Sequence, residues 1–246
     1  YLDKKGDVKI DPYKYKLFLE GQGFKKYFPK GSLKPTWVFV QSNVVRETSI
    51  ELVKDYVLNH LLSKGEFEVW KLCVNYHLLF TESYLLMLKS EELPMLRDEK
   101  NKSFIVYENG ILEVTKDNKE LVGFMDVEGF VWESQILKRN YVEHKNYNND
   151  YQTFISNISN KSPKALECVL GYLISTYKNK MNNKAIILND EVISDNPEGG
   201  TGKSLLVQGL RRIRKTSILD GKSFDDKKGF PYQTVSLDSQ ILVWDD

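Results

Sequence analysis

Eight consecutive residues near the carboxyl end of the chain have the make-up of a phosphate-binding loop: Pro197, Glu198, Gly199, Gly200, Thr201, Gly202, Lys203 and Ser204. Glycine enters left-handed backbone conformations at little cost, so Gly199, Gly200 and Gly202 can turn the N–H groups of the loop, that of Thr201 among them, toward an anion. A lysine at position 203 would meet β- and γ-phosphates, and a serine hydroxyl at position 204 would ligate Mg²⁺. The residues predict ATP and Mg²⁺ as ligands. The full pattern for such a loop begins with a glycine separated by four residues from the Gly-Lys-Ser, and Pro197 stands in that place.

A loop of this kind is expected between a strand and a helix. Ala185 to Leu188 is a short apolar run that predicts a buried strand before it. After it, Leu205, Leu206, Leu210 and Ile213 predict an amphipathic helix from about Lys203 to Lys215, its positive dipole end aimed at the anion. A second apolar run, Ile241 to Trp244, predicts a buried strand ending in Asp245 and Asp246. Open parallel sheets place ligands at the carboxyl ends of their strands. Asp245 is therefore the candidate for helping Ser204 hold Mg²⁺, and Asp246 for orienting the attacking water. Together Lys203, Asp245 and Asp246 form the candidate catalytic set. Each feature also has a plainer reading: a glycine-rich turn without nucleotide, and a strand end with two solvated acids. The basic run Arg211, Arg212, Arg214 and Lys215 is read as complementing the helix carboxyl end and facing solvent, with DNA contact as the alternative.

The remainder bounds the class of protein. The chain has 246 residues, 41% hydrophobic and 28% charged, with net charge +1. Such a length suggests one or two domains. The charge balance excludes binding to nucleic acid by bulk charge alone. No apolar run has the ~18 residues of a membrane span, so no membrane association is expected. Two cysteines, Cys73 and Cys168, cannot form a disulfide framework, and they fit a reducing, cytoplasmic setting. His60, Cys73 and His77 lie in one region, where core packing is favoured over a metal site for want of a further ligand.

Tyr13 to Phe28 interleaves aromatic residues with Lys14, Lys16, Lys25 and Lys26. The favoured reading is an amphipathic helix ending near Gly21 or Gly23; the alternative is a surface that stacks bases and neutralises phosphates. Thr48 and Ser49 predict a helix start, with a stop at Gly65, and a second helical pattern runs from about Glu68 to Ser90. Phe104 to Thr115 predicts a hairpin about Asn109-Gly110, and Leu121 to Ser134 a second one near Gly129. Asn146 to Asp150 is a polar linker, and Ser162-Pro163 opens a helix over Ala165 to Tyr177. The expected fold is thus an α+β N-terminal domain, residues 1–155, followed by the start of an α/β P-loop ATPase domain, residues 156–246. The first domain, with helices and a small antiparallel sheet, has no evident catalytic set and is expected to fold by itself.

The runs NPEGGTGKSLL, LDGKSF and VSLDSQILVWDD, with VWESQILKR and ALECVLGYLISTYKN upstream, resemble superfamily 3 helicases of the AAA+ class. The likeness is to primase-helicases of bacteriophages, prophages and plasmids, related to those of poxvirus type, and it spans most of residues 40–246. The resemblance implies an ATP-hydrolysing hexameric ring that translocates on single-stranded DNA at a replication fork, beside other replication proteins. Lys203 and Ser204 match its first motif, Asp245 and Asp246 its second. The sensor asparagine, the DNA-contacting elements and the arginine finger are expected beyond Asp246, and any primase acids before residue 1. The chain is thus expected to be part of a larger protein, monomeric or weakly dimeric, and inactive in unwinding by itself. The alternatives are another P-loop NTPase or phosphotransferase, or a non-catalytic interaction module.

Overall fold

A computed structural model describes residues 8–144, 149–159, 162–179, 181, 183–190, 200–222 and 232–245. In chain order the first elements are α1 (Pro12–Gln22), β1 (Phe24–Tyr27), β2 (Thr36–Gln41), β3 (Val44–Glu47), α2 (Ile50–Ser63), α3 (Phe67–Asn75) and α4 (Glu82–Leu85). Then come β4 (Ser103–Tyr107), β5 (Gly110–Val114), β6 (Lys119–Val122) and β7 (Val131–Trp132). The last are α5 (Asp150–Ile158), α6 (Pro163–Ile174), α7 (Lys203–Arg211), β8 (Thr216–Asp220) and β9 (Ile241–Asp245). The fold is mixed, with helices and several small sheets, compatible with an α+β layout.

The chain divides into two compact units, one of residues up to Met95 with Glu128–Glu133, the other of Leu96–Val127 with Ser134 onward. This differs from the boundary expected at residue 155. Asp98 and Phe104 are bonded to Arg214 within the second unit, while β7 does not fold back on β6 as a second hairpin but lies parallel to β3, with Val44 opposite Val131. Of the expected linker, Asn149 and Asp150 are described, and the Asn149 side chain caps α5 by accepting from the Gln152 N–H at 2.9 Å.

In the first unit, Asp11 caps α1 through the N–H groups of Tyr13 and Lys14, and Gly23 ends it. Gly23 has φ +105°, and a Cβ there would lie 2.3 Å from the Val40 carbonyl oxygen, so only glycine lets the chain turn this close to β2. β1, β2 and β3 form an antiparallel meander. Its second turn is Ser42-Asn43, with φ +48° and +61°, the left-handed pair of a tight hairpin turn. The helical pattern expected from Glu68 to Ser90 is broken into α3, a single tight turn at His77–Phe80, and α4. Tyr76 leaves helical geometry and the Thr81 hydroxyl starts a new cap. Tyr15, Leu19, Phe24, Val53, Val57, Cys73, Leu79 and Leu85 make the core.

The aromatic–lysine segment is thus a helix followed by a strand. Three of its four lysines have intramolecular partners: Lys16 with Glu20 at 3.0 Å, Lys25 with Glu91 at 2.5 Å, and Lys26 with the Leu86 carbonyl at 2.7 Å. The core reading of this segment fits these contacts better than a phosphate-neutralising surface. His60 stacks beside Phe18 and Tyr56, Cys73 is buried, and among the described residues no three metal-ligating side chains converge.

In the second unit β4, β5 and β6 form an antiparallel meander. Its first turn is centred one residue earlier than expected, because Gly110 pairs with Tyr107 as the first residue of β5. β8 and β9 run parallel, in register from Thr216–Ile241 to Asp220–Asp245. Ile155 of α5, Leu170 of α6, Leu206 and Leu210 of α7 and Ile241 of β9 share one buried cluster. Ala185 to Leu188, expected as a strand, makes no ladder with any described residue. α6 stops at Ile174 and α7 at Arg211, earlier than the apolar periodicity suggests. No helix among the described residues is long and apolar enough to cross a membrane.

Candidate functional site

The amino end of α7 carries the residues singled out by type. Gly200 and Gly202 both adopt left-handed conformations, φ +74° and +89°, so the chain turns twice before the helix starts. Gly202 is the N-cap; it brings no side-chain hydrogen bond, and the first turn contains no acidic residue. Among the described residues no side chain caps the first N–H groups of α7, at the end where the helix dipole is positive. Lys203 and Ser204 are the first two helical residues.

Helix α5 fixes this end in place. A Cβ on Gly202 would lie 3.0 Å from the Phe154 ring of α5. One turn further along, the Tyr151 hydroxyl donates to the Leu206 carbonyl at 3.3 Å, and its ring lies over Gly209 so closely that any larger residue there would meet it. Leu206 and Leu210, on the same face as Gly202, are buried against Ile155 of α5, Leu170 of α6 and Ile241 of β9.

The Lys203 ammonium is held at 2.5 Å by the Asp190 carboxylate and donates to the Thr201 hydroxyl at 3.0 Å. Those partners, Lys203 first and Thr201 second, hold the Asp190 carboxyl below the usual carboxylate range. Asp190 was not among the residues expected from sequence. Its only signal there is its place two residues past the apolar run Ala185 to Leu188, a run that forms no strand and leaves Ile187 exposed.

Asp245 ends β9, exposed, level with Asp220 across the parallel ladder, and its carbonyl accepts from the Gly221 N–H at 2.8 Å. Ile241 of the same strand packs with Leu206 and Leu210, so β9 and α7 share a core. No hydrogen bond or ion pair joins Asp245 to Lys203 or Ser204. Pro197, Glu198, Gly199 and Asp246 lie outside the described residues, so the structure places only part of each motif.

The basic run after α7 holds a correction. Arg211 and Arg212 are exposed, but Arg214 is buried. Its guanidinium donates to the Ile174 carbonyl at 2.7 Å, to the Phe104 carbonyl at 2.6 Å and to the Asp98 carboxylate at 3.0 Å. Burial pulls the guanidinium below its ordinary value while Asp98 pulls it back up. Asp98 in turn accepts from the N–H groups of Phe104 and Thr176. Arg214 therefore neither faces solvent nor can reach DNA.

Comparison of the chain with protein-family models and with curated proteins gives no match.

Proposed function

We propose that the chain binds ATP with Mg²⁺ at the amino end of α7 and is part of an ATP-dependent DNA helicase or primase-helicase of the AAA+ type. The observation that carries the nucleotide reading is the double left-handed glycine turn at Gly200 and Gly202 opening an uncapped helix that begins Lys203-Ser204. The donor set fits the ligand: uncapped N–H groups, an ammonium and a hydroxyl, with the acid Asp245 ending a strand of the same core.

In this reading the α7 N–H groups and those of the glycine turn hold the polyphosphate. Lys203 neutralises the phosphates farthest from the nucleoside. Ser204 and Asp245 would hold Mg²⁺, which supplies charge neutralisation of the transferring phosphoryl group. Asp246 would orient a water for attack. Phe154 and Tyr151 keep the helix end where the backbone donors converge. Action on forked, single-stranded DNA as a hexameric ring, with other replication proteins, belongs to the same proposal and rests on the sequence resemblance alone.

The test is calorimetric titration with Mg-ATP of the chain and of Lys203→Ala. Binding that the substitution removes supports the reading, and undiminished affinity in the variant ends it.

A further inference from the structure

Lys203 has a carboxylate where the reading above requires a phosphate. A cation that must meet the terminal phosphates of a nucleotide is bonded instead to Asp190 at 2.5 Å and to Thr201 at 3.0 Å. Neither partner comes from the helix that carries the lysine. The contact is only partly shielded, with 38% of the Lys203 side chain and 23% of the Asp190 side chain exposed. It lies within reach of a solute.

We propose that Asp190 is an internal stand-in for phosphate, holding Lys203 when no nucleotide is bound, so that the Asp190–Lys203 pair and nucleotide occupancy exclude each other. The inference rests on the nucleotide reading and adds a regulating residue to it. The physical argument is competition for one cation. A carboxylate and a phosphate oxygen both accept charge-assisted hydrogen bonds from an ammonium. A polyphosphate entering the α7 N-terminus brings several negative charges toward Asp190. The carboxylate then either leaves the lysine or repels the ligand, and either course weakens binding. The pair also has a benefit without ligand: it fixes the lysine near the loop instead of leaving a long side chain free.

Asp190→Asn keeps the shape and the hydrogen-bonding capacity but removes the competing charge. An exposed ion pair is a weak competitor, so the expected gain is about threefold to fivefold in affinity. The titration uses ADP and inorganic pyrophosphate with EDTA present, so that loss of any metal ligation by Asp190 plays no part. Asp190→Ser serves as a second variant that removes the same charge with a different side chain. A parallel measurement follows the rate at which an amine-reactive acylating reagent modifies Lys203 in the ligand-free protein, read by peptide mass spectrometry. Faster modification of Lys203 in both variants, together with tighter binding of both ligands, supports the proposal. Affinity unchanged or weakened in both variants, in a chain whose parent binds ADP, overturns it and leaves the nucleotide reading standing. If neither the parent nor the variants bind ADP or pyrophosphate while the modification rate still rises, the nucleotide reading fails and the proposal fails with it.

Discussion

Two of the carboxylate–cation pairs in the second unit differ in nearly every respect. Asp98 and Arg214 are 116 positions apart in sequence and leave only 1% and 3% of their side chains exposed. Asp190 and Lys203 are 13 apart and leave 23% and 38% exposed. Around the first pair every polar side-chain atom has a partner: the guanidinium reaches two carbonyls besides the acid, and the acid accepts two backbone N–H groups besides the guanidinium. Around the second pair, an uncapped helix end still offers donors. The difference separates two uses of charge. A buried pair with all its partners supplied joins the Phe104 strand, the end of α6 and the chain after α7 in one arrangement. A half-exposed pair beside unpaired donors is available to exchange one partner for another.

The largest effect should come from breaking the buried pair. Arg214→Met leaves the Asp98 carboxylate without its cation in a low-dielectric site, which costs about 3–5 kcal/mol. Urea unfolding followed by circular dichroism measures it. The double variant Asp98→Leu/Arg214→Met should recover only part of the loss, because the Phe104 and Thr176 N–H groups then lose their acceptor. A single variant as stable as the parent would mean that the pair does not hold this unit together.

The same manipulation at the other pair should behave in the opposite way. Lys203→Ala removes the cation but leaves Asp190 where water can reach it, so the unfolding midpoint should stay that of the parent. Nucleotide affinity should fall by about tenfold to a hundredfold, the loss of one charge-assisted contact. A large drop in midpoint would place Lys203 with Arg214 as a structural cation.

How much of this was legible in sequence follows the same division. The loop residues Gly200 to Ser204, the cap at Ser49, the helix end at Gly23 and the strand preceding Asp245 are all set by local chemistry over a few residues, and sequence shows them. The Ser42-Asn43 turn is equally local, but it lacks the glycine that usually marks such turns, so its hairpin went unseen. Arg214 could not be assigned: a basic residue after a helix suits solvent by every local rule, and only Asp98, far upstream, gives it a reason to be buried. β7 is a related case. Val131-Trp132 has strand character, but nothing within its own segment says that its partner is β3 and not β6. That pairing groups residues 128–133 with the first unit.

The glycine turn tests how tightly the scaffold specifies the site. Gly200 and Gly202 are both left-handed, yet a Cβ on Gly200 meets nothing within 4 Å, whereas one on Gly202 meets Phe154 at 3.0 Å. Gly200→Ala should cost about 1–2 kcal/mol from backbone strain alone. Gly202→Ala should cost more, about 2–3 kcal/mol, as overpacking is added. Equal costs, measured by thermal unfolding, would show that α5 yields and does not brace the loop.

The smallest effect concerns a polar group that is buried but lacks what the Asp98–Arg214 pair has. The Tyr15 hydroxyl lies in the core of the first unit with no hydrogen-bond partner among the described residues. If saturation of valences, and not burial, marks a structural polar group, this hydroxyl contributes nothing and Tyr15→Phe should be neutral or stabilising by up to about 1 kcal/mol. The pH dependence gives a second readout. Burial first, then the neighbouring Cys73 and Tyr84, push the Tyr15 hydroxyl far above its ordinary value. The folded state therefore holds this proton more tightly than the unfolded state does. Its contribution to stability is complete below the unfolded value of about 10 and falls as pH rises beyond it, by up to about 1.4 kcal/mol per pH unit. In Tyr15→Phe that component disappears, so parent and variant should differ by a constant below pH ~10 and diverge above it, with the variant the more resistant to alkali. Burial raises the Cys73 thiol as well, and its own decline, starting near pH ~8.5, should be common to both proteins. Parallel stability curves through the alkaline range would mean that the Tyr15 hydroxyl has water or a partner in solution, and that the contrast between saturated and unsaturated buried groups does not extend to this core.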